Sequence, residues 1–252
     1  MSKTALITGA SSGIGYEFSK ILYEEGYKVI LVARNKQKLD LLAKKLGQAQ
    51  VIEKDLSSID AAQQIFEQID DPIDVLINNA GFGHHGAFAN APWKKLQQMV
   101  QVNITSLTEL THLYLPQMLK RKSGKIVHVA STAAFQPGPL MAVYYATKAY
   151  VLHLSEALTR ETKGTGVTIT ALCPGPTASK FQLVADIKDP KLIEGKNLPS
   201  SKEVALYGYQ SMIKGKTVAI PGWKNRLLSS SYRFLPRKTI ATIIGKIQTA
   251  RL

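Results

Sequence analysis

The residues predict an α/β chain: a single domain in three layers (α/β/α), with a doubly wound parallel sheet between helices on both faces. Three observations carry this. Short Val- and Ile-rich runs alternate with longer amphipathic segments. Several of those runs are apolar at consecutive positions rather than alternate ones, as in strands covered on both faces. The first run passes through a glycine-rich turn straight into a helical pattern, as a parallel strand–helix unit does.

In order, the first strand is Thr4–Thr8, and the helical pattern Tyr16–Glu25 after it is closed by Gly26. The second strand, Lys28–Ala33, leads to a helix over Lys36–Leu46 closed by Gly47. Ala49–Glu53 and Ser57–Ile69 form the third pair. The fourth strand, Ile73–Ile77, precedes a long helical pattern over Trp93–Lys120 that Pro92 introduces. Lys125–Ala130 is a strand, Val143–Lys163 a helix and Val167–Cys173 a strand. Residues 179–201, which include Pro190 and Pro199, read as a segment covering a substrate pocket. A last strand at Thr217–Ile220 precedes a basic extension over residues 224–252, helical at Lys224–Leu228 and Arg237–Ile247. No internal repeat or linker divides the chain, so residues 1–252 are expected to fold as one domain.

Composition narrows the class. The 252 residues are 45% apolar and 20% charged, which is globular composition and enough for a sizeable core. No apolar stretch approaches the roughly 18 residues that span a bilayer, and the N-terminus lacks the long apolar run of a secretory signal. The lone Cys173 closes no internal disulfide and has no cysteine neighbours at metal-ligand spacing. A cytoplasmic protein without a metal is expected. The net charge is +14, and no acidic residue follows Glu203, whereas nine Lys and Arg do. Such a tail suits anionic lipid or an acidic protein. No DNA- or RNA-reading motif accompanies it, so nucleic acid is not expected as a partner. Its apolar residues suit either a membrane-surface helix or, the reading preferred here, a helix packed on the core with a basic outer face. Trp93 and Trp223 are expected to be packing residues.

In an open parallel sheet ligands bind beyond the carboxyl ends of the strands, and the chemistry-bearing residues cluster there. The turn Thr8-Gly9-Ala10-Ser11-Ser12-Gly13-Ile14-Gly15 lets backbone approach a pyrophosphate at a helix N-terminus. The second strand ends Ala33-Arg34, without the acidic residue that would hold a ribose 2′-hydroxyl. A guanidinium there suits a 2′-phosphate, so NADP is expected over NAD. Asn78-Asn79-Ala80-Gly81 follows the fourth strand and Ser131 the fifth. Tyr144 and Lys148, four apart, share one helix face, while Tyr145 points about 100° away from Tyr144. His84 and His85 lie beside the expected substrate entrance and read as loop histidines, with no cysteine or acidic partner to mark a metal site.

Together these residues resemble the short-chain dehydrogenase/reductase family over about the first 180 residues. Its T-G-x-x-x-G-x-G matches Thr8, Gly9, Gly13 and Gly15, its N-N-A-G matches Asn78–Gly81, and its Y-x-x-x-K matches Tyr144 and Lys148. The family's serine falls on Ser131, its helix asparagine on Asn103, and its P-G on Pro174-Gly175. The resemblance implies a Rossmann-type fold and an NADP(H)-dependent oxidoreductase acting between an alcohol and a carbonyl. It makes Tyr144 the general acid/base and Lys148 the charge that lowers the tyrosine's pKa and holds the cofactor ribose. Ser131 would be the partner of the substrate oxygen, and Asn103 the anchor of a proton-return water. Ser11, Ser12 and Ile14 lie within the cofactor turn, Asp55 falls at the adenine, Asn79 at a ribose and Thr177 near the nicotinamide amide. A homodimer or homotetramer is implied. A small, apolar carbonyl or alcohol substrate is expected from Phe82, Phe135, Leu140, Met141 and Phe181. The Asp-Gly-Gly that many members carry after the last strand is replaced by Pro221-Gly222-Trp223. Enoyl reduction, epimerisation or redox sensing by an NADP-binding protein are the alternative functions.

Overall fold

The computed structural model describes residues 3–47, 49–179, 181, 185 and 198–250. Seven parallel strands form one sheet in the order β3-β2-β1-β4-β5-β6-β7. They are β1 (Thr4–Thr8), β2 (Lys28–Ala33), β3 (Ala49–Glu53), β4 (Val75–Asn78), β5 (Gly124–Val129), β6 (Val167–Leu172) and β7 (Val218–Ala219). Among the described residues the α-helices are α1 (Gly13–Glu24), α2 (Lys36–Leu46), α3 (Ala61–Glu67), α4 (Trp93–Val100), α5 (Leu107–Arg121), α6 (Ala142–Glu161), α7 (Ser201–Ile213), α8 (Trp223–Ser231) and α9 (Arg237–Thr249).

The consecutive apolar runs have a simple cause. Ala5 and Ile7 of β1, with Val29 and Leu31 of β2, point into a core shared with α1, α2 and α7. Leu6, Ile30 and Val32 point the other way, into a core shared with α3 and α5. Because side chains alternate along a strand, two covered faces demand apolar residues at every position. Each fully buried Leu or Ile contributes about 1.5–3 kcal/mol relative to exposure.

The helical pattern over Trp93–Lys120 is not one helix. A π-helical turn, Gln101–Ser106, separates α4 from α5, and Asn103 lies in that turn. The third helix is shorter than its pattern, starting at Ala61 after Asp60. Helix α7 stands where the sequence reading left a gap. Its start is a capping box: Ser200 accepts from the Glu203 backbone N–H, and the Glu203 carboxylate accepts from the Ser200 backbone. The basic extension also departs from expectation. Helix α9 packs through Ile240, Ile244 and Gln248, but α8 buries only Ser229. Trp223 is 70% exposed and Trp93 71%, so neither packs in the core. The covering segment expected over residues 179–201 lies largely outside the described residues.

Candidate active site

β1 and β4 are neighbours, yet the crossovers leaving them run to opposite sides of the sheet. Their carboxyl ends therefore diverge into a crevice. A cavity of about 540 Å³ opens there, lined by the glycine turn, Arg34, Asp55, Asn79, Ser131, Tyr144, Lys148 and Thr177.

The glycine turn is built against Asn79. Gly9 has φ +66° and Gly13 φ +60°, the left-handed region that glycine adopts without strain. A Cβ at Gly9 would stand 2.6 Å from Asn79 Nδ2, and one at Gly15 2.5 Å from the Gly9 carbonyl oxygen. Asn79 Nδ2 donates to the Thr8 carbonyl at 2.9 Å, and the Thr8 hydroxyl accepts from the backbone of Asn79 and Ala80 at 3.0 Å each. The Asn79 side chain thus braces the turn, a structural task beyond the ribose contact the resemblance implies. Gly9, Ser11, Ser12, Gly13 and Ile14 line the cavity at the N-terminal end of α1, while Gly15 packs beneath. Unpaired backbone N–H groups and the helix dipole favour an anion at that end.

At the far end the cavity is lined by Arg34, Lys38, Lys54 and Asp55. Arg34 Nη1 is 4.0 Å from Asp55 Oδ2, a loose contact that leaves the exposed guanidinium available to a ligand. Asp55 is itself held by the Ser57 backbone N–H at 2.9 Å. Lys38 and Lys54 were not singled out from the sequence. Lys38 stands one helical turn beyond Arg34, and Lys54 immediately follows β3, both readable only once strand ends are placed.

Ser131, Tyr144, Lys148 and Asn103 come from three places. Ser131 follows β5 in extended backbone and caps a short 3₁₀ turn, its hydroxyl accepting from the Ala133 N–H at 3.1 Å. Tyr144 and Lys148 lie one turn apart on α6, with the Lys148 ammonium 5.9 Å from the centre of the Tyr144 ring. Lys148 Nζ donates to the Val129 carbonyl at 2.7 Å. Burial pushes the Lys148 pKa down to about 8. Burial also pushes the Tyr144 phenol well above its usual value, against which the Ser131 hydroxyl acts through a hydrogen bond. Asn103 sits behind them. Its Oδ1 accepts from the Phe82 N–H at 3.1 Å, and its Nδ2 donates to the Phe82 carbonyl and the Thr147 hydroxyl at 3.0 Å each. Gly81 separates Asn103 from Lys148, for a Cβ there would meet Asn103 Oδ1 at 3.0 Å and Lys148 Nζ at 3.4 Å. Thr177 lines the cavity and donates to the Gly175 carbonyl at 3.0 Å.

Residues 3–188 match the family model described as short chain dehydrogenase. The chain belongs to the short-chain dehydrogenase/reductase family. It is therefore an oxidoreductase by family. The ketoacyl reductase HetN of Nostoc sp. is 35% identical over 226 residues, which cover 86% of this chain and 77% of that protein. A short-chain dehydrogenase from Sphingobium yanoikuyae, solved in complex with NADPH, superposes with a TM-score of 0.83 at 29% identity, covering 92% of this chain and 94% of the other. The bulky-bulky ketone specific alcohol dehydrogenase from Comamonas testosteroni gives 0.79 at 29% identity, covering 92% of each chain.

One further lining residue of this short-chain dehydrogenase's cavity was not anticipated. Gln248 of α9 lines it, and Gln248 Nε2 donates to the Tyr145 hydroxyl at 2.7 Å. His85 lies in a loop as expected but is buried, with Nε2 3.1 Å from the Gln248 carbonyl oxygen. The second tyrosine thus tethers the C-terminal helix, while Tyr144 faces Ser131. Phe82, Met141 and Phe181 supply an apolar wall, whereas Phe135 and Leu140 are not among the cavity's lining residues.

Proposed function

We propose that this protein is an NADP(H)-dependent carbonyl reductase or alcohol dehydrogenase with Tyr144 as its general acid/base. The observation that carries the proposal is the convergence of Ser131, Tyr144 and Lys148 on one cavity with the glycine turn and Arg34. When bound, the nicotinamide supplies or accepts the hydride. Gly9, Ser11, Ser12, Gly13 and Ile14, with Gly15 packed beneath them, would cradle the pyrophosphate, and Arg34, assisted by Lys38 and Lys54, would hold the 2′-phosphate. Asp55 would meet the adenine, Asn79 a ribose and Thr177 the nicotinamide amide.

The side chains divide the proton work. In the reductive direction burial keeps the Tyr144 phenol protonated, ready to donate to the carbonyl oxygen. Ser131 donates a second hydrogen bond to that oxygen and stabilises the charge developing there. Lys148, with a pKa of about 8, is mostly protonated at neutral pH and stabilises the tyrosinate left behind. Asn103 positions the segment around Phe82 and anchors the route by which the proton returns. The apolar wall of Phe82, Met141 and Phe181 suits a bulky or chain-bearing carbonyl compound. The test is oxidation of NADPH against a panel of ketones, aldehydes and acyl-chain carbonyls, with NADH in parallel. The proposal expects turnover with NADPH preferred; failure to bind either nucleotide contradicts it.

A further inference from the structure

The basic extension carries an exposed apolar face. On α8, Trp223 and Leu227 lie one turn apart on the same side and are 70% and 63% exposed. Leu228 beside them is 54% exposed, and Phe234, in the 3₁₀ turn that follows, is 86% exposed. Single exposed apolar residues are ordinary, but four large ones within twelve residues are not.

The charge around them has one sign. Residues 204–252 hold nine Lys and Arg and no Asp or Glu. Lys224 lies over the Trp223 ring at 5.7 Å, and Arg226 is fixed between the Tyr207 ring and the Ile220 carbonyl. Lys224, Arg237 and Lys238 are all exposed. A second copy of the chain is a poor occupant, because a two-fold contact would bring like charges together. The protein core is not the occupant either, since α8 buries only Ser229.

We propose that this α8 face docks on an anionic lipid bilayer. Aromatic rings settle at the headgroup level, leucines reach the acyl boundary, and lysines extend to lipid phosphates. The attachment is peripheral, because none of the described helices is long and apolar enough to cross a membrane. The same helix abuts the candidate active site: a Cβ at Gly175, which lines the cavity, would come within 2.8 Å of Asn225 Nδ2. Docking therefore sets the cavity wall beside the membrane surface.

The experiment is co-sedimentation of the full chain with vesicles of mixed phosphatidylglycerol and phosphatidylcholine, and with phosphatidylcholine alone. Binding to the anionic vesicles, weakening as salt rises and about tenfold weaker to neutral ones, is the expected result. The triple variant Trp223→Ser, Leu227→Ser, Phe234→Ser should lose about tenfold or more of the anionic binding. Retained NADPH binding checks its fold, and the pair Lys224→Glu, Lys238→Glu provides an independent charge-side variant. Absence of binding to both vesicles overturns the proposal, as does binding that neither variant weakens. Capture by polyglutamate without vesicle binding would also overturn it, assigning the face to an acidic polypeptide. Vesicle binding is read without turnover, so its outcome is separate from that of the reductase reading.

Discussion

His128 offers a quantitative test of how the layers beneath the site are held. It stands on β5 between α5 and α6, with Nε2 2.9 Å from the Thr111 hydroxyl and Nδ1 2.9 Å from the Ser155 hydroxyl. Each hydroxyl also reaches a carbonyl one turn back on its own helix, Leu107 and Val151 respectively. A neutral ring donates its one N–H to one hydroxyl and accepts at the other nitrogen from the second, whose single proton then points at the ring rather than at its carbonyl. Asn78 completes the link from β4, its Nδ2 donating to Thr111 at 3.1 Å. The ring is fully buried, and this desolvation pushes its pKa from 6.5 down to about 3. In the unfolded chain the same ring takes up a proton near its ordinary value. The depressed folded pKa means that stability is retained above about pH 6.5 and falls as the pH drops toward 3. Each unit in that window costs about 1.4 kcal/mol, so the change from pH 6.5 to about pH 5 removes about 2 kcal/mol. Urea unfolding followed by circular dichroism across this range measures it. His128→Asn should be less stable at neutral pH by about 2 kcal/mol, through lost packing and hydrogen bonds. It should also be less sensitive to acid by the amount that His128 contributed. An unchanged acid slope in the variant would refute the reasoning, since the titration would then belong elsewhere.

Three more outcomes are expected. Arg34→Asp should weaken NADPH binding by about 2 kcal/mol, roughly thirtyfold, and shift preference toward NADH, as fluorescence titration would measure; unchanged selectivity would move the phosphate contact to Lys38 and Lys54. Gly15→Ala would force a methyl group against the Gly9 carbonyl and the Asn79 amide. It should cost about 1–3 kcal/mol and weaken nucleotide binding, and a variant as stable and as tight-binding as the parent would contradict the brace. Gln248→Leu removes the donor to Tyr145 and an amide from the cavity wall. It should lower stability by about 1 kcal/mol and change KM across a substrate series while leaving NADPH affinity intact; a parallel loss of NADPH affinity would mean a general collapse of the site.

The parts of this architecture legible in the sequence are those that local chemistry specifies. Strands β1 and β2 match their apolar runs to the residue, because both faces are covered and no register ambiguity arises, and the half-buried edge strand β3 keeps its expected bounds as well. The glycine turn, Arg34, Ser131, Tyr144 and Lys148 all reach one cavity because each follows a strand end or a helix start. The π-helical turn at Gln101–Ser106 left no such mark, since a shift in backbone hydrogen bonding does not alter apolar spacing. Helix α7 fills the stretch between the presumed cover and the last strand, and the capping box that marks its start, Ser200 with Glu203, straddles the end of that presumed cover. Gln248 could not be foreseen, because its partners His85 and Tyr145 lie over a hundred residues away. Trp223 was read as packing because hydrophobicity alone does not say which face a helix buries.

The central claim is that Tyr144 transfers the proton in a carbonyl reduction. The most direct test compares the parent chain with Tyr144→Phe, following NADPH oxidation by a carbonyl substrate that the parent turns over and NADPH binding in the same samples. The account predicts that the variant loses turnover by about a hundredfold or more while NADPH affinity stays within about threefold. A variant that still turns over at the parent's rate would contradict it.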